Sequence, residues 1–433
     1  MQAAVSRPRS GRAPLRLRHG RLLLRASAIA VTALAAWQFL LAPLLGHFGG
    51  RFEDFAAYLG AARGMAAGHS PYASFDGNVS VVMTGFDYPP FAALLVRPLA
   101  LLSDSNAVTL WLWLSVACTV AGALIVARTL LPRSWPRTDI ALLAAFAFAP
   151  ATYNYWHGQM NPVIFLLLAL ALRGYVQGRE VSTGVLLGVA AAIKLSPLVL
   201  VVLLLRRGWW RGTAAMLLTV VASVAAAIPV MGVSGVRTFV DTVMPSLTRE
   251  TGWIYNQSLG GLLSRIGDHS VLQVGGASAL LHTVVLLAAV VTLGACFFVV
   301  RAGRRDPAER GAEFGLGVVA MLLAASIAWY PHFTHLLIPL AAAAGLVAAR
   351  GWRVERRLAQ AALAALAVFG LLVPLVVADI DMNSMVSLHA SAAWWPALQL
   401  FSIPCVAAAL LFVALGRSLA RSRTAGCASG STR

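Results

Sequence analysis

The sequence predicts an all-α integral membrane protein, and three observations carry that prediction. Hydrophobic residues make up 59% of the 433-residue chain and charged residues only 12%, against roughly 45–50% and about 25% in soluble domains. Apolar runs recur along the whole chain, at 26–46, 107–131, 214–230, 280–300 and 359–377. Each is near the roughly 20 residues that a helix needs to cross a bilayer core. The runs lack the period-two alternation of a barrel strand, so helices are the remaining way to satisfy backbone groups in lipid.

Charge sets the orientation. The net charge of +18 raises nucleic acid as a partner, but the arginines sit in short loops between apolar runs, which is the positive-inside pattern of a membrane protein. Arg7, Arg9, Arg12, Arg16, Arg18, Arg21 and Arg25 precede the first run without an acid among them. That run is long and has no convincing small-residue cleavage site, so it reads as an uncleaved first helix after a cytoplasmic tail, residues 1–25. Further basic clusters at 128–137, 173–179, 206–211, 301–310, 350–357 and 417–423 fall on the same side. The external segments are then about 49–90, 153–162, 232–275, 329–335 and 379–395.

Two segments must fail to cross singly for this scheme to close. Residues 91–102 are short and contain Arg97-Pro98, which suits a re-entrant or interfacial piece. Residues 181–205 must enter and return as a hairpin with its turn at Lys194-Leu195-Ser196-Pro197, because one crossing would put Arg206, Arg207 and Arg211 outside. The count comes to roughly 12 membrane helices between residues 26 and 416, followed by a basic cytoplasmic tail, 417–433. All 16 acids are expected in loops or at helix ends, so carboxylate chemistry belongs at an interface. The four cysteines, Cys118, Cys296, Cys405 and Cys427, are scattered and suggest neither a disulfide framework nor a zinc site.

Several polar groups lie in the expected external segments. Asp54 opens an amphipathic pattern, Phe55, Tyr58, Leu59, Ala62 and Ala66, that Gly68 ends. It reads either as an N-cap or as a general base, ionised at a helix N-terminus and ready to take an acceptor proton. In Phe86-Asp87-Tyr88-Pro89-Pro90 the prolines fix a rigid turn, and Asp87 and Tyr88 are candidates to line a site. His157-Gly158-Gln159-Met160-Asn161 offers amides that suit sugar hydroxyls; Asn161 is equally a candidate helix cap.

Lys194 is the only lysine in the chain. An ammonium at the tip of a hydrophobic hairpin either snorkels to the interface or meets an anion such as phosphate. Asn256-Gln257-Ser258-Leu259 adds amides in the large external segment. His332 and His335, within Trp329-Tyr330-Pro331-His332-Phe333-Thr334-His335, are flanked by aromatics. They are too few for a zinc site without a third ligand. Asp379-Ile380-Asp381 has the look of an Asp-x-Asp metal motif but is better explained as acids at an outer helix end. No metal and no cofactor are expected.

Taken in order, Asp54 with Tyr58, Ser70-Pro71-Tyr72, Tyr88-Pro89-Pro90, Gly158-Gln159-x-Asn161, Lys194-x-x-Pro197 and Asn256-Gln257-Ser258-Leu259 resemble glycosyltransferase family 87. That family includes polyprenyl-phosphate-mannose-dependent mannosyltransferases and related arabinofuranosyltransferases with the multi-helix GT-C fold. The resemblance covers about Asp54 to His335. It implies that Asp54 occupies the place of the catalytic aspartate. It also implies that His332 or His335 matches a polar position of a late Trp-x-His-His-like motif, from which this chain departs by separating the histidines.

The expected protein is therefore a GT-C-type bundle in the cell membrane, with its site facing outside or the periplasm. It would transfer a sugar, mannose by family default, from a polyprenyl-phosphate donor to a glycolipid or glycan acceptor. Asp54 is the base. Tyr58, Asp87, Tyr88, Gln159, Asn161, Lys194, Asn256, Gln257, His332 and His335 bind substrate. Membrane lipids are partners and nucleic acid is not. The alternative is a transporter or flippase of lipid-linked sugars, which needs no base on an interfacial helix.

Overall fold

The computed structural model describes residues 15–48, 52–72, 85–248, 252, 255–267, 279–300, 306–351, 353–377 and 402–428. Among these residues the chain is all-helical, the one piece of strand pairing being an isolated antiparallel bridge between Asn256 and Trp329. Sixteen helices carry the argument: α1 (Leu15–Ala36), α2 (Glu53–Ala66), α3 (Pro90–Val96), α4 (Asp104–Leu130), α5 (Arg137–Phe146), α6 (Ala149–His157), α7 (Asn161–Gln177), α8 (Glu180–Ile193), α9 (Val201–Arg206), α10 (Trp210–Thr238), α11 (Leu259–Gly267), α12 (Ala279–Val299), α13 (Pro307–Ala324), α14 (Leu337–Arg350), α15 (Arg353–Val377) and α16 (Ile403–Ala428). The acids of Asp379-Ile380-Asp381 lie outside the described residues.

Among the described residues, six helical stretches are long and apolar enough to cross a membrane: His19–Leu45, Asp104–Leu130, Trp210–Ser246, Ala279–Val299, Tyr330–Arg350 and Ile403–Arg421. Shorter apolar helices, Pro90–Leu101, Asn161–Gln177, Glu180–Ile193 and Ser196–Arg206, fill the bundle between them. Leu22, Leu34, Leu218, Val221, Leu287, Val290 and Phe298 point outward, as lipid-facing positions require.

The bundle packs around α13, in which nearly every residue from Gly311 to Leu323 is buried. Between apolar helices in lipid, close packing takes over from the hydrophobic drive, so small residues mark the crossings. A Cβ at Gly188 of α8 would lie 2.7 Å from the Met216 carbonyl of α10, and one at Gly122 of α4 2.8 Å from the Phe165 ring of α7. Gly184 and Gly212 meet still more tightly, and Glu180 accepts the Gly212 N–H at 2.9 Å.

The arginine-rich turns share one end of the bundle. Arg310 donates to the Val176 carbonyl at 3.1 Å, Arg206 to Phe297 at 3.0 Å, and Arg350 pairs with Asp306 at 2.8 Å. The expected hairpin is present. α8 leaves this end at Glu180 and breaks at Lys194, whose backbone is extended (φ −149°, ψ 129°). A 3₁₀ turn, Ser196–Leu200, and α9 then return to Arg207, which donates to Tyr175 Oη at 3.0 Å beside the start of α8. Fourteen residues of helix put Lys194 roughly 21 Å from the arginine end at 1.5 Å per residue.

Three expectations are revised. Glu313 lies in the second turn of α13, fully buried, 3.3 Å from Arg207 Nη2 and accepting from Tyr175 Oη at 3.3 Å. Acids are thus not confined to loops and helix ends: α13 begins as early as Pro307, capped by Asp306, inside what reads as a basic loop. The segment expected as loop from Gly232 is helical to Ser246, with a kink at Gly232 (φ 71°, ψ 170°). The segment expected as an external loop at 153–162 is mostly helical: α6 runs to His157 and α7 starts at Asn161, leaving a short break at 158–160.

Candidate active site

Opposite the arginine end, three interrupted helices place their polar residues together. The interruption between α6 and α7 turns on Gly158, in the left-handed region at φ +67°. A Cβ there would stand 2.6 Å from Phe55 Cβ, so the glycine lets α2 dock on the break. Trp111 of α4 donates its indole N–H to the Gly158 carbonyl at 2.7 Å. Phe52 is the one non-glycine residue with positive φ (50°) among the described residues, and its N–H bonds the Trp156 carbonyl at 3.1 Å. The strained entry to α2, worth about 1–2 kcal/mol for an L-residue in that region, is thereby held by the end of α6.

Phe52 is also the N-cap of α2, and no side chain caps it. The capping reading of Asp54 therefore fails, since Asp54 sits inside the first turn. Its carboxylate is half-buried and bonds the Gln159 side chain. Burial pushes its pKa up to about 6. The Gln159 hydrogen bond and the charge of Lys194 pull against that rise, and Glu53 adds to it. Asp87 is raised too, chiefly by burial and further by the Asp54 charge, while Lys194 opposes the rise. Two carboxylates thus face one ammonium.

Amides and phenols fill the space between. Asn161 also does not cap its helix. Its Nδ2 donates to Asn154 Oδ1 at 2.9 Å and Gln159 Oε1 at 3.2 Å, and its Oδ1 accepts from Lys194 Nζ at 3.3 Å. Tyr58 donates to the Tyr88 hydroxyl at 2.8 Å, and Tyr88 Oη lies 3.4 Å from Gln159 Oε1. Lys194 Nζ stands 5.3 Å from the centre of the Tyr88 ring, a cation–π distance. Tyr72 donates to the Tyr88 carbonyl at 2.8 Å and fixes that turn.

The third interruption is the 3₁₀ turn Tyr330–Leu336 before α14. It brings His332 Nε2 to 2.6 Å from Lys194 Nζ. With the ammonium as donor, His332 accepts at Nε2 and carries its proton on Nδ1. His335, one turn on, is 2% exposed and stacks on Phe165 with centroids 6.3 Å apart; its Nδ1 has no hydrogen-bond partner among the described residues.

Asn256 plays a different part from its neighbours in the motif list. Its side chain donates to the Ser326 carbonyl at 3.1 Å and accepts from the N–H groups of Ala328 at 2.9 Å and Ser258 at 3.3 Å. Gln257 is fully buried beside it, its N–H bonded to the Ala328 carbonyl at 2.7 Å. This pair clamps the extended segment leading to His332. Sequence reasoning missed Asn154, whose Nδ2 reaches the Pro331 carbonyl at 3.0 Å and Thr334 Oγ1 at 2.7 Å and ties α6 to the histidine turn. An asparagine between two tyrosines in an apolar run gave no periodic signal.

A chain that is all-helical among the described residues, with six apolar spans there and a carboxylate–amide–ammonium cluster at the end opposite its arginine-rich turns, is a multi-pass membrane protein with an active-site-like centre. It belongs to glycosyltransferase family 87, whose profile matches residues 86–326, more than half of the chain. That match contains Asp87, Tyr88, Gln159, Asn161, Lys194, Asn256 and Gln257; Asp54, Tyr58, His332 and His335 lie beyond it.

Two relatives come from Mycolicibacterium smegmatis. One is a polyprenol-phosphate-mannose-dependent alpha-(1-2)-phosphatidylinositol pentamannoside mannosyltransferase, 27% identical over 56% of this chain and 58% of its own length. The other is a polyprenol-phosphate-mannose-dependent alpha-(1-2)-phosphatidylinositol mannoside mannosyltransferase, 28% identical over 66% of this chain and 68% of its own. A Mycobacterium tuberculosis protein named like the first is 27% identical over 42% of this chain and 43% of its own.

Proposed function

We propose that this chain transfers mannose from a polyprenyl-phosphate donor to a glycolipid acceptor at the external face of the membrane. The names of its relatives support donor and acceptor class. The observation that carries the chemistry is the chain of contacts from Asp54 through Gln159 and Asn161 to Lys194 and His332. A base stands at one end, a cation at the other, and amides lie between. The wider proposal is a GT-C-type bundle of roughly 12 crossings with both termini cytoplasmic, which the common arginine end favours.

The step is a displacement at the anomeric carbon. Asp54 takes the proton of an acceptor hydroxyl, whose oxygen bonds to that carbon. The carbon–oxygen bond to phosphate breaks, and its electron pair leaves with the polyprenyl phosphate. Lys194 meets the developing charge, with a hydrogen bond from His332 or His335 in support. Tyr88, Gln159 and Asn161 offer donors and acceptors to the sugar hydroxyls. Incubating the purified chain with labelled polyprenyl-phosphate mannose and phosphatidylinositol mannoside tests the reading. Labelled glycolipid product is expected. Movement of the donor across vesicle bilayers without product would favour the flippase instead.

A further inference from the structure

On the other flank of Asp54 lies a feature that the reaction scheme leaves unused. Tyr153 and His157, one turn apart on α6, stack with ring centroids 4.2 Å apart and 23° between planes. Tyr255 joins them, its ring centroid 6.2 Å from that of Tyr153, and Tyr330 meets Tyr153 edge-on at 5.4 Å. Tyr153, His157 and Tyr255 are each half-buried, not sealed in the core. Glu53 Oε2 lies 3.7 Å from His157 Nδ1, and the Glu53 side chain is 59% exposed. Glu53 is the residue before Asp54, and Gln159, which bonds Asp54, is two residues after His157.

The segment from His157 to Asn161 therefore steps across the whole site. His157 touches the aromatic shelf, Gln159 touches the base, and Asn161 touches the ammonium. We propose that Tyr153, His157, Tyr255 and Glu53 form the subsite for the acceptor's sugar ring, a hexopyranose of the glycolipid head group. A pyranose has an apolar C–H face, which suits a flat aromatic shelf, and a polar rim, which suits a carboxylate. Placed there, the acceptor presents a hydroxyl to Asp54 from the side away from Lys194, so donor phosphate and acceptor occupy opposite flanks of the base. The Glu53–His157 pair sets polar groups at the rim of the shelf, which suits the hydroxyls of a sugar ring and not a lipid chain, for which an apolar channel would be needed.

This inference rests on the proposed function for its donor side, and the test separates the two. Full-length protein in nanodiscs is titrated by ligand-observed NMR with methyl α-mannopyranoside as the acceptor-head probe, and in parallel with polyprenyl-phosphate mannose. Tyr153→Leu and His157→Ser are expected to weaken mannoside binding by about tenfold and to leave donor binding unchanged. Tyr153→Phe keeps the ring and should bind the mannoside as wild type does. Lys194→Met should show the reverse pattern, with donor binding lost and mannoside binding kept. Absence of mannoside binding to wild type would overturn the subsite. So would unchanged mannoside binding in both shelf variants, or loss of donor and mannoside binding together. A wild-type protein that binds the mannoside but not the donor would instead sink the donor assignment and leave the subsite standing.

Discussion

Replacing Asp54 with asparagine should destroy turnover and, at neutral pH, make the protein more stable. The folded pKa of about 6 stands above the ordinary 3.8 because burial disfavours the charge. At about 1.4 kcal/mol per pKa unit, such a rise corresponds to about 3 kcal/mol against the ionised form. Water still reaches the half-buried carboxylate, which reduces the figure to about 1–2 kcal/mol. The sign follows from proton counting. Between the two pKa values the folded state holds more protons than the unfolded one, so stability falls as pH rises through that window. Above about pH 6 the whole penalty is present, and below about pH 4 it is gone. Asp54→Asn removes the charge and keeps an oxygen near Gln159. Its melting temperature in detergent should therefore exceed wild type at about pH 7.5 and equal it at about pH 4, while transfer from polyprenyl-phosphate mannose drops by about 10²–10⁴-fold. In the wild type, kcat/KM should fall as pH drops below about 6, as a base must be ionised to act. Turnover within a few-fold of wild type would falsify the base assignment. An equal melting shift at both pH values would show that the stability effect is not electrostatic.

Other perturbations probe separate links. Lys194→Met should express normally but lose donor binding and turnover, with Lys194→Arg recovering only part, since the guanidinium fork needs different geometry; unchanged donor affinity in Lys194→Met means the lysine merely snorkels. Gly158→Ala places a Cβ 2.6 Å from Phe55 Cβ at φ +67°, so α2 must shift; kcat should fall more than tenfold, roughly, with a stability loss of about 1 kcal/mol or more, and full activity would show that α2 docking does not set Asp54. Glu313→Ala removes the carboxylate beside the buried Arg207 and should cost about 3–5 kcal/mol in unfolding free energy, yet activity per folded molecule should hold because the pair lies at the arginine end. For orientation, cysteines at exposed Glu53 and Ser134, in a background lacking native cysteines, should react oppositely with an impermeant thiol reagent. Glu53→Cys labels in intact cells and Ser134→Cys only after the inner leaflet is opened.

The fold was legible where hydropathy is continuous and obscure where a helix carries charge. The runs at 107–131 and 280–300 correspond to α4 and α12 within a few residues, because a lipid-exposed helix has to be apolar over its length. The return of residues 181–205 was legible from arginine bookkeeping alone: Arg207 does come back beside Tyr175. The buried Glu313 was not. Its tolerance depends on Arg207 and Tyr175, which are 106 and 138 residues away, and no local pattern encodes a partner at that separation. The count of roughly 12 crossings came from apolar runs and arginine clusters together, with residues 91–102 not crossing and 181–205 paired as a hairpin; six stretches among the described residues are long and apolar enough to cross. Packing inside the bundle, of α8 on α7 and α10 and of α9 on α13, accommodates shorter helices that lipid contact alone would not select.

The candidate site was legible for a different reason. Much of it sits where a helix is broken, and breaks in apolar helices are visible as glycine, proline or polar residues. Broken backbone at membrane depth is tolerated only when buried in protein or lining a cavity, so breaks in separate helices tend to converge. Gly158 breaks α6 from α7, Lys194-Leu195-Ser196-Pro197 breaks α8 from α9, and Trp329-Tyr330-Pro331 precedes α14. Those three breaks supply Gln159, Asn161, Lys194 and His332, which touch one another. Asn256 was placed with them on composition, yet its amide is consumed by the backbone of Ser326, Ala328 and Ser258. Residue type was the same, and only the hydrogen-bond inventory separates a clamp from a ligand. Asn154 shows the converse. It lies mid-helix with no break to announce it, and its amide joins Asn161 to the histidine turn. An Asn154→Leu variant should thus loosen the Lys194–His332 contact although neither residue changes, and would be read as weakened donor binding in a protein that still folds.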